Sequence, residues 1–283
     1  MLKMIDLLII GNGFLGDNLQ KNAINQGLKS HISDYKKSGA DVTNISSIEK
    51  VIEEEKPRIV INCSAISNID IIENNPKKAF EVNATGVKNI AIICKKFNLK
   101  LIHISTDSVF DGTKKMYTEK DIPNPINEYS KSKKMGEELI RKYLKKHVII
   151  RTNFYGKNPK EKNLYDWVKN QIKNNSEIIG FDDIIFNPLE INNLSKLILE
   201  LMETNFTGTI HLANNEILTK YQFCKIIAEF FGYSDSKIKQ GSIKDVKLNA
   251  RRPLNTTLSN KLSTKIFNTK LITLKEYLNK YET

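Results

Sequence analysis

The chain has 283 residues, 40% of them hydrophobic and 27% charged, with 44 Lys and Arg against 32 Asp and Glu for a formal net charge of +12. That is the composition of a globular chain able to bury a core, and no apolar run approaches the roughly 20 residues of a membrane-spanning helix. The lysines are scattered without interleaved aromatics, which argues against a nucleic-acid surface, and Cys63, Cys94 and Cys224 stand too far apart for a disulfide framework or a zinc site.

The first element is Leu7-Leu8-Ile9-Ile10, an apolar strand followed at once by Gly11-Asn12-Gly13-Phe14-Leu15-Gly16 and a helix to about Gln26. Nothing here resembles a removable leader, so a cytoplasmic location is expected. Strand, glycine turn and helix start are the context in which G-x-G-x-x-G cradles a dinucleotide. Glycines let the backbone approach a pyrophosphate, and the unpaired N–H groups of the helix start attract it. A second strand around Leu28 to Ser33 ends at Asp34, placed to bind the adenosine ribose of NAD, while Lys36 and Lys37 stand ready for the 2′-phosphate of NADP. Both cofactors stay open, with a lean to NADP. Asp41-Val42-Thr43 reads as a strand end before a helix capped near Asn44 or Ser46; Asp41 either caps that helix or reaches the adenine.

Arg58 to Cys63 is the next buried strand, with the small residues Ser64-Ala65-Ile66-Ser67 beyond its carboxyl end, where a cofactor would lie across the sheet. A helical segment follows from Pro76 to about Asn98 and contains Asn83 and Gly86. Leu101-Ile102-His103-Ile104 is a buried parallel strand leading into Ser105-Thr106-Asp107-Ser108-Val109-Phe110-Asp111-Gly112. Ligands of open parallel sheets sit beyond such strand ends, so Thr106 is where a reacting group would be held. The next helix, Tyr129 to Tyr143, opens with Tyr-x-x-x-Lys, placing Tyr129 and Lys133 at i and i+4 on one face. An ammonium beside a phenol would lower the phenol's pKa toward neutrality. Val148 to Arg151 completes the alternation of a doubly wound α/β sheet.

Beyond Thr152 the texture changes. A polar loop, Asn153 to Asn163, precedes an amphipathic helix carrying Trp167, and Glu177 to Phe181 and Ile184 to Leu189 read as short strands. A strand near 207–213 would return to the main sheet. Helix Lys220 to Phe231 and Arg251-Arg252-Pro253-Leu254-Asn255 finish a smaller lobe, with the arginine pair either exposed or clamping a diphosphate. The expected division is a cofactor domain over 1–152 and a mainly substrate-binding lobe over 153–283. No metal is expected: the four histidines show no ligand spacing.

The glycine turn, Ser-Thr-Asp-x-Val-Phe-Asp-Gly, Tyr-x-x-x-Lys, and Arg-Arg-Pro-x-Asn together resemble the extended short-chain dehydrogenases/reductases, most closely their dTDP-4-dehydrorhamnose reductase branch. Val82-Asn83-Ala84, Pro123-x-Pro125-x-Asn127 and Thr219-Lys220-Tyr221 extend the resemblance over nearly the whole chain. It implies a Rossmann-type sheet with an interleaved C-terminal substrate lobe, and reduction of a 4-keto-6-deoxy sugar on a nucleoside diphosphate. By position, Tyr129 would protonate the carbonyl oxygen, Lys133 would hold the nicotinamide ribose and lower the Tyr pKa, and Thr106 would hydrogen-bond the carbonyl. Gly11, Gly13 and Gly16, with Asn12, Phe14 and Leu15 between them, would carry the pyrophosphate. Val42, Cys63, Ser64, Ala65, Asn83 and Ser105 fall on the same cofactor side, and Ser67, Ile69, Asp107 and Arg252 on the sugar side.

Three departures stand out. The branch's first turn has one more residue, which affects the alignment of Gly11. Ser108 replaces a Tyr, and Asn153 or Phe154 stands nearest to a missing Trp, so the particular sugar is open. Alternative functions are an epimerase or dehydratase of the same fold, and a non-catalytic subunit resembling the regulatory β subunit of methionine adenosyltransferase. The expected partners are a nucleotide sugar and a second copy of the chain, not nucleic acid or membrane.

Overall fold

The structure is a computed structural model that describes residues 4–35, 39–158, 163–234 and 237–282, so Lys36 and Lys37 lie outside the described residues. The first half runs β1 (Ile5–Ile10), α1 (Phe14–Asn25), β2 (Ser30–Ser33), α2 (Ile45–Glu55), β3 (Pro57–Asn62), α3 (Ile69–Asn74), α4 (Lys77–Phe80), α5 (Val87–Lys96), β4 (Lys100–Ile104), α6 (Glu128–Tyr143) and β5 (His147–Thr152). The second half adds β6 (Phe154–Tyr155), α7 (Leu164–Lys173), β7 (Ile178–Phe181), β8 (Ile185–Phe186), β9 (Leu189–Glu190), α8 (Ile191–Met202), β10 (Gly208–Leu212), β11 (Leu218–Thr219), α9 (Lys220–Phe230), β12 (Ile238–Gly241) and α10 (Leu274–Tyr281).

Six strands form one parallel sheet in the order β10-β5-β4-β3-β1-β2. Its strands are apolar runs because helices cover both faces, as the α/β reading requires. On one face α1 and α8 pack over Leu7, Ile9, Ile102 and Ile150. On the other, α2, α5 and α6 pack over Leu8, Val60, Leu101 and Ile149. From β1 the chain passes to β2 on one side and returns to β3 on the other, so a crevice opens at their carboxyl ends. The second half is interleaved rather than appended: α8 and β10 join the sheet layers, while α7, α9, α10 and the short strands build a separate aromatic core. There Tyr155 meets the edges of Phe223 and Tyr277, each at 5.4 Å between ring centroids.

Several local expectations change. Residues 41–43 form a turn rather than a strand end, because the Asp41 carboxylate accepts from the Thr43 backbone N–H (2.9 Å) and hydroxyl (2.7 Å). Asn44 caps α2 by accepting from Ser46 and Ser47. The single helix expected from Pro76 is divided by a π-helical turn at Glu81–Gly86, where Gly86 lies so close to Val42 that a Cβ would meet its side chain at 2.6 Å. The stretch Ile184 to Leu189 splits into β8 and β9, since Asn187 turns its side chain inward to the carbonyls of Asn214 and Leu258. The polar loop after Thr152 begins with β6, which pairs with β9.

Candidate active site

The glycine turn builds the crevice floor. Gly11 has φ +108° and lies so near the Ser64 backbone that a Cβ would sit 2.6 Å from the Ser64 nitrogen. Gly16, in the first turn of α1, faces the Gly11 carbonyl, which a Cβ would meet at 2.0 Å. Both positions therefore require glycine to close the strand-to-helix turn. Gly13 differs: it caps α1 without a side-chain hydrogen bond, and a Cβ there would find nothing within 4 Å. An open cradle over helix N–H groups fits the pyrophosphate of a dinucleotide. Leu15 is buried in the core, and the Phe14 ring leans on Phe154, 6.0 Å between centroids. Asp34 follows β2 at the far side of the crevice. Ser64 and Ala65 follow β3, with Ala65 and Ser67 exposed. Asn83 is buried and holds this loop, accepting from the Ile66 N–H and donating to the Ile66 carbonyl (both 2.9 Å) and to the Ser132 hydroxyl (3.0 Å). It thereby ties the loop after β3 to α6.

Thr106, Tyr129 and Lys133 converge where β4 ends. Asn127 fixes the start of α6, accepting from the Ser130 N–H while donating to the Arg251 carbonyl. The Thr106 hydroxyl stands beside the Tyr129 phenol. Burial pushes the Tyr129 phenol up to about 12; the Thr106 hydroxyl works the other way and the Asp107 charge adds to the rise. The sequence-based expectation of a lowered Tyr129 is thus reversed: desolvation dominates, and the Lys133 ammonium points elsewhere. Lys133 is 2% exposed, and its Nζ donates to the Ile104 carbonyl at 2.7 Å and lies 3.5 Å from His103 Nε2. Burial lowers Lys133 to about 8, against an upward pull from Glu137 and Cys63. Burial also pushes the Cys63 thiol up to about 12.

Behind Lys133 stand residues that the sequence did not single out. The Ser64 N–H donates to Asn62 Oδ1 at 3.0 Å, which turns the Asn62 amide nitrogen toward His103 Nδ1 at 3.1 Å. His103 therefore accepts at Nδ1 and carries its proton on Nε2; burial and Lys133 keep the ring neutral. Glu137, one turn beyond Lys133, is paired through both oxygens with Arg151 (3.0 and 2.7 Å) and accepts from Ser105 at 2.6 Å and Arg141 at 2.9 Å. Burial alone would raise Glu137, but these partners hold it below the ordinary carboxylate value. The Lys133–Glu137 spacing of four was a readable signal; the Asn62–His103 contact was not.

A cavity of about 630 Å³ opens beside this cluster, lined by Ile69, Asp107, Ser108, Asn153, Trp167, Lys220 and Arg252 among others. Asp107 accepts from Asn153 Nδ2 at 2.9 Å, so two residues assigned to the sugar side hold each other. Arg252 donates to Asp70 at 2.7 Å. Trp167 and Lys220 join the lining without having been assigned to it. Among the described residues no His, Cys, Asp and Glu cluster could hold a metal ion, and no helix is long and apolar enough to cross a membrane.

The family model described as RmlD substrate binding domain matches residues 5–282. The chain belongs to that family. It stands within the extended short-chain dehydrogenases/reductases, and its six-stranded parallel sheet is that of the reductase and epimerase structures. It is 32% identical over 223 residues to a probable low-salt glycan biosynthesis reductase of Haloferax volcanii, covering 77% of this chain and 74% of that one. It is 28% identical over 231 residues to the methionine adenosyltransferase 2 subunit beta of Bos taurus, covering 75% and 66%. A solved dTDP-4-dehydrorhamnose reductase from Bacillus anthracis, in complex with NADP, superposes with a TM-score of 0.90 at 29% identity over 100% of both chains.

Proposed function

We propose that this RmlD-family chain is an NAD(P)H-dependent reductase that converts the ketone of a nucleotide-linked 4-keto-6-deoxy sugar to an alcohol. The observation that carries it is the juxtaposition of the Thr106 and Tyr129 hydroxyls at the end of β4, next to Asp107 of the cavity lining. A carbonyl oxygen placed between these two hydroxyls would receive a donor from each, Thr106 turning its proton from Asp107 to the oxygen, where negative charge develops. Nicotinamide, when bound, supplies the hydride. Tyr129, held protonated by burial, gives its proton to the oxygen as the charge forms. Lys133, at about 8, carries its positive charge at neutral pH and would hold the nicotinamide ribose. Gly13 and the α1 N-terminus would hold the pyrophosphate, with Asp34 near the adenosine ribose. The reductase relative bound to NADP supports NADPH as the reductant.

The test is loss of reduced-nicotinamide absorbance when the protein meets dTDP-4-dehydrorhamnose, with NADPH and NADH in parallel. Turnover with one cofactor supports the reading; cofactor binding without turnover on any 4-keto-6-deoxy nucleotide sugar overturns it. The likeness to a methionine adenosyltransferase β subunit favours a second reading, a regulatory subunit. Stable association with a methionine adenosyltransferase catalytic subunit, together with no ketone reduction, would select it.

A further inference from the structure

Four charged side chains line the cavity: Asp107, Glu177, Lys220 and Arg252. Three are already matched. Arg252 pairs with Asp70 at 2.7 Å and donates to the Ala250 carbonyl at 3.0 Å. Glu177 pairs with Lys239 at 2.5 Å. Asp107 accepts from Asn153, from Thr106 (3.1 Å) and from the Ser108 hydroxyl (3.2 Å). Lys220 is the exception. Among the described residues its ammonium has no ion pair and no hydrogen-bond acceptor. It lies 3.4 Å over the centre of the Phe186 ring and feels the Asp107 carboxylate only at longer range.

We infer that Lys220 is the anion-recognising residue of the substrate cavity, meeting a phosphate or carboxylate oxygen of the bound nucleotide sugar. The inference rests on the nucleotide-sugar reading above and adds to it the residue that supplies the charge. Arg252 offers donors, but Asp70 has neutralised it, so the net positive charge available to a ligand sits on Lys220. The surroundings make that charge costly without a ligand: burial lowers Lys220 to about 8 even with Asp107 and Cys224 pulling the other way. An arriving anion would relieve the cost, because a desolvated ammonium gains most from a charged partner. Its position is fixed. Lys220 is the first residue of α9, whose start is locked by the reciprocal Thr219–Gln222 capping box, and its backbone N–H donates to the Ile184 carbonyl at 2.9 Å. Phe186 supports the cation from one side through its ring face and leaves the other side to the cavity.

The experiment titrates dTDP, UDP-glucose and UDP-glucuronate into wild type, Lys220→Met and Lys220→Arg by calorimetry, with NADPH affinity and melting temperature as controls. If Lys220 meets the diphosphate, Lys220→Met weakens all three ligands by about ten- to hundredfold, Lys220→Arg recovers most of the loss, and the controls hold. If it meets a sugar carboxylate, dTDP and UDP-glucose bind as before, and the preference of wild type for UDP-glucuronate over UDP-glucose disappears in Lys220→Met. Wild-type affinities for all three ligands in Lys220→Met would overturn the inference. A wild-type protein that binds NADPH but none of the three nucleotides would instead overturn the nucleotide-sugar reading.

Discussion

Replacing Arg151 by Met should unseat α6. Glu137 is 0% exposed and depends on Arg151 for two of its hydrogen bonds; what remains is the Ser105 hydroxyl and Arg141, itself 38% exposed. Removing one partner of a buried ion pair costs about 3–5 kcal/mol, and the surviving Arg141 contact places this case near the lower end. At about 2–4 °C per kcal/mol for a chain of this size class, Arg151→Met should melt about 6–12 °C below wild type at neutral pH. The pH dependence has a defined sign. In wild type Glu137 lies below its ordinary value, so its stabilisation is present above the unfolded carboxylate pKa and lost as pH falls through the folded one. In Arg151→Met burial prevails and the folded pKa rises, so acid now relieves the variant. The gap between the two proteins should narrow from pH 7 toward pH 5, and adding Glu137→Gln to the variant should restore part of the loss. Thermal melts by circular dichroism read this directly. A melting temperature equal to that of wild type at pH 7, or a gap that widens on acidification, would refute the reasoning.

Three further outcomes follow from the same site. Gly13→Ala should keep the wild-type melting temperature yet weaken NADPH binding by about tenfold or more, while Gly16→Ala, whose Cβ meets the Gly11 carbonyl at 2.0 Å, should lose both stability and binding; fluorescence titration and melts separate the two. Asn83→Ala removes one buried and two partly buried hydrogen bonds and leaves the Ile66 backbone groups without their Asn83 partner, so a loss of about 2–4 kcal/mol is expected by urea denaturation. Because burial holds Lys133 at about 8, kcat/KM should be level near pH 7 and fall as pH rises through about 8, when the ammonium discharges; a profile level to pH 9.5 would remove the ammonium from the rate law.

The parts of this molecule legible in the sequence are those written in local spacing. The turn Gly11 to Gly16 follows its strand directly, Tyr129 and Lys133 stand one helical turn apart, and the apolar runs of β1, β3, β4 and β5 announce a sheet covered on both faces. What escaped reading depends on residues far apart in the chain. Arg252 looks like a free cation until Asp70, 182 positions earlier, is brought beside it. Asn62 and His103 are ordinary strand residues until pairing of β3 with β4 sets them in register. The direction of the Tyr129 shift failed for a different reason: the i, i+4 spacing supplies proximity on a helix face, whereas the sign is decided by burial and by where the Lys133 side chain finds its acceptor. Asp41 illustrates local competition, since its carboxylate closes a turn with Thr43 in a stretch that resembled a strand end.

The most direct test of the central claim is a comparison of Tyr129→Phe with wild type under single-turnover conditions, using dTDP-4-dehydrorhamnose and NADPH. The expected result is a rate lowered by about 10²–10⁴ with NADPH affinity retained, because the substitution deletes the proton while keeping the ring that fills the site. Turnover within about a factor of three of wild type would take Tyr129 out of the proton transfer and leave the Thr106–Tyr129 pair without its proposed role.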